Sequence, residues 1–128
     1  MQSRKTLLLL TLALAGPTAH AAVLSTTPLP ASELGGDRES ACLARNPGDQ
    51  PLEVSVEGFD AQGSRVAALT FDLLPGSVRV VLPAEHPGPA ARIAVCQFSF
   101  PGRKSRLEAS IIVREAGSEA ALFSRRAR

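Results

Sequence analysis

Leu52-Glu53-Val54-Ser55-Val56-Glu57 is the stretch that decides the fold class of this chain. Apolar Leu52, Val54 and Val56 alternate strictly with polar Glu53, Ser55 and Glu57, the period of a strand with one face buried and one face wet. The alternation runs on to Phe59 with its parity changed, which predicts a bulge near Gly58. Asp60-Ala61-Gln62-Gly63 then closes a four-residue turn, with Asp at the opening and Gly at the closing position. Upstream, Ser40–Arg45 reads as a strand carrying Cys42 and ends at the turn signal Asn46-Pro47-Gly48-Asp49.

The same pattern continues downstream. Ala67, Leu69, Phe71 and Leu73 form one face of the next strand, and Leu74-Pro75-Gly76-Ser77 stops it as a type II turn, with Pro at the first corner and Gly at the second. Val78, Val80 and Leu82 alternate with Ser77, Arg79 and Val81. Residues 83–89 hold three prolines and a glycine and read as a loop. In Arg92–Phe100, Ala94, Cys96, Phe98 and Phe100 share one face while Ile93 and Val95 make the other apolar too, so this strand is expected in a sheet interior. Pro101-Gly102-Arg103-Lys104-Ser105 is expected to fold it back as a hairpin onto Leu107, Ala109, Ile111 and Val113. Ala22–Thr27 reads as an edge strand limited by Pro28 and Pro30, and Ala120–Ser124 as a last short strand. No repeat and no amphipathic helix interrupts the series. Short alternating segments with turns every 8–12 residues predict an all-β fold, a seven- to eight-stranded antiparallel β-sandwich.

The N-terminus carries an address. Arg4 and Lys5 precede the apolar run Leu7–Ala15, Gly16-Pro17 breaks it, and Ala19-His20-Ala21 supplies a small-x-small cleavage pattern. The run is too short to span a bilayer, which takes about 20 residues. Residues 1–21 are therefore expected to be a cleaved signal peptide. They would leave a β-sandwich domain over 22–124 and a frayed basic tail over 125–128, in the periplasm or secreted, with no transmembrane segment in the mature chain. Arg4 and Lys5 leave with the leader, so 12 of the 14 basic residues remain against 12 acidic ones and the mature chain is formally neutral. Neutrality, with five Phe and neither Tyr nor Trp, argues against nucleic acid as a partner.

Cys42 and Cys96 are the only cysteines. In an oxidising compartment such a pair is expected as a structural disulfide, and here it would join an early strand to a late central one across the core. Neither a CxxC spacing nor nearby histidines favour redox or metal chemistry. The bridge resembles the inter-sheet disulfide of immunoglobulin-like domains, without their core Trp or tyrosine corner. Cys42, Asn46, the Leu52–Val56 strand, Phe59-Asp60-x-x-Gly63, Leu74-Pro75-Gly76 and Cys96 together resemble a group of uncharacterised small exported bacterial proteins. That resemblance covers residues 22–115 and implies a single-disulfide sandwich with no assigned activity.

Candidate chemistry is sparse. His86, in Glu85-His86-Pro87-Gly88-Pro89, is the one histidine left after the leader, and no G-x-S-x-G marks a partner serine for a small hydrolase. Glu53 and Glu57 share a strand face about 13 Å apart, at roughly 3.3 Å per residue, too far for a glycosidase pair. No catalytic residue, metal site or cofactor is expected. The basic residues Arg103, Lys104 and Arg106, with Arg125, Arg126 and Arg128, form a candidate anion-binding patch for the cell envelope. The principal functional expectation is a non-enzymatic binding or accessory module of the envelope, holding a protein partner at a sheet edge or loop. Electrostatic association through the basic residues is the alternative, and hydrolysis using His86 the remote one.

Overall fold

Alternation of this kind needs two faces to meet, and the chain supplies two sheets. A computed structural model describes residues 21–83, 92–115, 117–118 and 120–128. Its strands are β1 (Ala21–Ser25), β2 (Arg38–Arg45), β3 (Leu52–Phe59), β4 (Arg65–Leu73), β5 (Val78–Val81), β6 (Val95–Pro101), β7 (Glu108–Glu115) and β8 (Ala121–Arg126). The first sheet has the order β1-β6-β3-β4 and the second β5-β2-β7-β8, and every pairing is antiparallel. The all-β, eight-stranded sandwich is thus as the sequence predicts.

The core lies where the alternation points. Val54 and Val56 of β3, Phe98 of β6, and Ile111 and Val113 of β7 are at most 1% exposed. Each such side chain contributes roughly 1.5–3 kcal/mol on burial. Between the sheets the Cys42–Cys96 disulfide joins β2 to β6, with Cα atoms 5.8 Å apart and both cysteines wholly buried. The predicted bulge falls between Gly58 and Phe59, where the β3–β4 register shifts. Space at Gly58 is tight: a Cβ would sit 3.0 Å from Ile93 Cδ1 and 3.2 Å from Ala67 Cβ, so a side chain there requires these neighbours to give way. The Asp60–Gly63 turn also forms: Gly63 N donates to Asp60 O, and Asp60 Oδ1 accepts from the amides of Gln62 and Ser64.

Two expectations are corrected. First, β6 and β7 are not a hairpin. They lie in opposite sheets, and residues 102–107, with a short 3-10 turn at Lys104–Arg106, carry the chain across. The alternation of Leu107, Ala109, Ile111 and Val113 fixes which face meets the core, but it is silent on which strand is the neighbour. β3–β4 and β7–β8 are the pairs of consecutive strands that share a sheet side by side. Second, the tail does not fray. β8 runs through Arg126, Ala127 is buried and donates to Ala109 O, and Arg128 exchanges backbone hydrogen bonds with Ser25 at 3.0 and 3.1 Å. The Ser25–Arg128 pair ties the edge strand of the first sheet to the chain just beyond the edge strand of the second. Ala21, expected as the last leader residue, opens β1 opposite Pro101.

The terminal strands also depart from the immunoglobulin layout, in which the first strand sits beside the second and the last beside the sixth. Here β1 sits beside β6, and β7 sits beside β2. The cystine strands keep their places while their neighbours are exchanged.

Two measurements check this architecture. The disulfide closes a loop with a sequence separation of 54, for which the chain-entropy relation gives about 4 kcal/mol. A Cys42→Ala/Cys96→Ala variant should lose most of that in urea unfolding. Hydrogen exchange should show the amides of Ser25, Ala127 and Arg128 protected, whereas a frayed end exchanges at the rate of unstructured peptide.

Candidate functional site

β4 and β5 are the edge strands of opposite sheets, joined only by the turn Leu74–Ser77. Gly76 has φ 74° and Ser77 N donates to Leu74 O, as the type II reading requires. Beneath the turn lies Asn46, which is 2% exposed. Its Nδ2 donates to Gln50 O at 2.7 Å and Leu73 O at 2.9 Å, and its Oδ1 accepts from Gly48 N. Its backbone N–H donates to Ser77 O, and its carbonyl accepts from Gly76 N. One residue thereby fixes the loop after β2 and the end of β4 through its side chain, and the start of β5 through its backbone. The sequence marks Asn46 as a turn residue, and nothing in it signals this second task.

On this side the sandwich is not sealed. Leu69 lies in register with the buried Val56 yet is 37% exposed, and Phe71 is half-buried, with the Arg79 guanidinium 5.2 Å from its ring centroid. β5 has the parity opposite to the simplest reading of its sequence. Val81 pairs with Cys42 and is buried, while Val78, Val80 and Leu82 are exposed. The adjacent apolar pair Val80-Val81 leaves either choice open to the sequence, and pairing with Cys42 decides it. Seven large hydrophobic side chains are exposed among the described residues, and five of them, Leu69, Leu74, Val78, Val80 and Leu82, belong to this one side. Behind β5 the apolar strip continues, because Val80 pairs with half-buried Leu43.

The outer faces of the two sheets differ in character. Glu53, Ser55 and Glu57 of β3 sit beside Asp72 and Thr70 of β4, with Ser55 Oγ 2.9 Å from Thr70 Oγ1 and Glu57 Oε2 3.3 Å from Arg65 Nη1. Glu53 and Glu57 are thus polar face residues. The second sheet carries Arg45–Glu108 at 2.9 Å and Arg114–Glu39 at 3.6 Å around its apolar strip. These pairs are solvated and contribute little to stability.

The six predicted anion-binding residues are divided by the fold. Lys104, Arg126 and Arg128 line one depression. Arg106 turns back to donate to Pro101 O and faces a second one beside the Asn46–Gln50 turn. Arg125 leaves the group altogether: its Nη2 lies 2.8 Å from Glu33 Oε1 and its guanidinium 5.2 Å from the Phe123 ring centroid. Arg103 is exposed at the start of the 3-10 turn. His86 lies outside the described residues. No group of three or more His, Cys, Asp or Glu among the described residues is placed to hold a metal ion.

No family model matches the chain, and no curated protein matches it. Among solved structures it is similar to the crystal structure of Thermotoga maritima 1070, with a TM-score of 0.49 and 9% identity over 88% of this chain and 95% of that one.

Replacing Asn46 by Ala should destabilise the protein by about 2–4 kcal/mol, because it strands the carbonyls of Gln50 and Leu73 and the amide of Gly48. Urea unfolding measures the loss, and faster amide exchange at Gly76 and Ser77 should accompany it.

Proposed function

We propose that this protein is an exported, non-enzymatic binding module of the cell envelope that receives an extended apolar segment of a partner protein beside β5. The observation that carries the reading is the exposed apolar row of Val78 and Val80 on the outer face of edge strand β5, followed by exposed Leu82. A soluble domain gains nothing from leaving such side chains in water, and a strip of this kind along a sheet edge is what a partner protein covers. A strand added to β5 would extend the second sheet. Its backbone would take the free ladder positions, and its alternate side chains would continue the row formed by Leu43 and Val80.

The disulfide supports the setting. The buried Cys42–Cys96 disulfide fits an oxidising compartment outside the cytoplasm. No helix among the described residues is long and apolar enough to cross a membrane. Arg79 guards the edge by reaching inward over Phe71, and the shortness of β5 limits stacking of copies. These devices restrain indiscriminate pairing while leaving Val78 and Val80 on offer.

The test is capture from envelope extract, washed first at low salt and then at about 1 M NaCl, where the Debye length is about 3 Å. A stoichiometric partner should survive the salt wash, be lost with Val78→Asp/Val80→Asp, and be kept by Glu53→Lys on the opposite outer face. If the bound species is a second copy of the chain, light scattering will show a dimer that the same double variant dissolves. A partner released by salt, or one indifferent to Val78 and Val80, overturns the reading.

A further inference from the structure

A second feature lies at the opposite edge of the sandwich, independent of the β5 surface. Lys104, from the turn between β6 and β7, meets Arg126 and Arg128, from the end of β8 and just beyond it, around a single open depression of about 460 Å³. The segments are brought together by backbone bonds already described, Ala127 N to Ala109 O and the Ser25–Arg128 pair. Buried Leu107 and Ala127 form part of its floor. All three cationic residues are exposed.

Lys104, Arg126 and Arg128 differ from the ion-paired arginines, and they differ from Arg38, Arg92 and Arg106, which donate to backbone carbonyls, and from Arg79, which lies over Phe71. Arg45, Arg65, Arg114 and Arg125 each face a carboxylate across 2.8–3.6 Å. Lys104, Arg126 and Arg128 have no ion pair among the described residues. The one acid lining the depression is Glu108, and its Oε2 is already engaged by Arg45 at 2.9 Å. Three cationic side chains therefore share a concave site whose only acidic side chain is answered elsewhere.

We infer that this depression is a binding site for a phosphate group. Phosphate offers several acceptor oxygens and up to two negative charges in one compact tetrahedron, so guanidinium and ammonium donors arriving from different directions can all be used. A long polyanion is disfavoured, since the acids Glu53, Glu57 and Asp72 cover the other outer face and no aromatic ring lines the depression to stack a base. The phosphate would be free or carried by a lipid headgroup, and the experiment distinguishes these sources.

The purified protein is titrated with inorganic phosphate while backbone amide shifts are recorded, and is separately sedimented with phosphatidylglycerol or phosphatidylcholine vesicles. Saturable shifts should concentrate at Leu107, Ala109 and Ala127, weaken about tenfold or more in Lys104→Gln/Arg126→Gln, and be unchanged in Arg65→Gln. Sedimentation with the anionic vesicles alone, lost in the same double variant, identifies a headgroup as the source. Phosphate shifts without sedimentation identify the free anion. Neither shifts nor sedimentation, or a response equal in the double variant, overturns the assignment. Because all these side chains are exposed, the variants should keep the parent spectrum elsewhere, and the β5 reading is untouched by either result.

Discussion

Everything in this sandwich is hung on the contact between β2 and β6. The two strands are interior in their own sheets, so each is flanked on both sides, and the Cys42–Cys96 bridge holds them face to face at the centre of the core. Ser40 Oγ donates to Ile93 O, and Thr26 Oγ1 accepts from Cys96 N, both bonds buried. Covalent and hydrogen-bonded ties are therefore concentrated in one cross-section. The edges, remote from it, are free to differ: one is stitched by Ser25 and Arg128, the other left open between β4 and β5.

How much of this was legible in the sequence follows from what alternation encodes. Period two assigns each residue to a face, so Leu52, Val54 and Val56, the bulge at Gly58 and the burial of Ala94, Cys96, Phe98 and Phe100 are readable directly. Pairing partners are not encoded that way. Leu107 to Val113 reads the same whether β7 lies beside β6 or across the core from it, which is why the expected hairpin is a crossover. Val78 to Leu82 fails for a related reason: with Val80 and Val81 adjacent, the inward face is chosen by the partner strand. The basic residues illustrate a third limit. Arg125 and Arg126 are neighbours in sequence, yet strand geometry sends them to opposite faces, one toward Glu33 and one toward Lys104.

The two proposed surfaces use different physics and different chemistry of the same scaffold. Along β5 the exposed groups are branched aliphatics on a free ladder edge, where desolvation and backbone pairing supply affinity. At the Lys104 depression the groups are exposed cations, whose attraction is short in range and sensitive to ionic strength. Asn46 and the Ser25–Arg128 pair play matching parts, each holding one of these edges in shape through hydrogen bonds rather than through apolar packing.

The placement of β1 beside β6 has a consequence for the order of events as the chain is made. Ala22 faces Phe100 and Leu24 faces Phe98, partners separated by more than 70 positions along the chain. The strand that emerges first must therefore wait, unpaired, until six-eighths of the strands exist, and the loop it closes is among the longest the fold contains. Pairings of such separation are slow to find and leave a strand edge unsatisfied in the interval. The first strand's place in the sheet therefore rests on one of the most distant pairings along the chain that the described residues make.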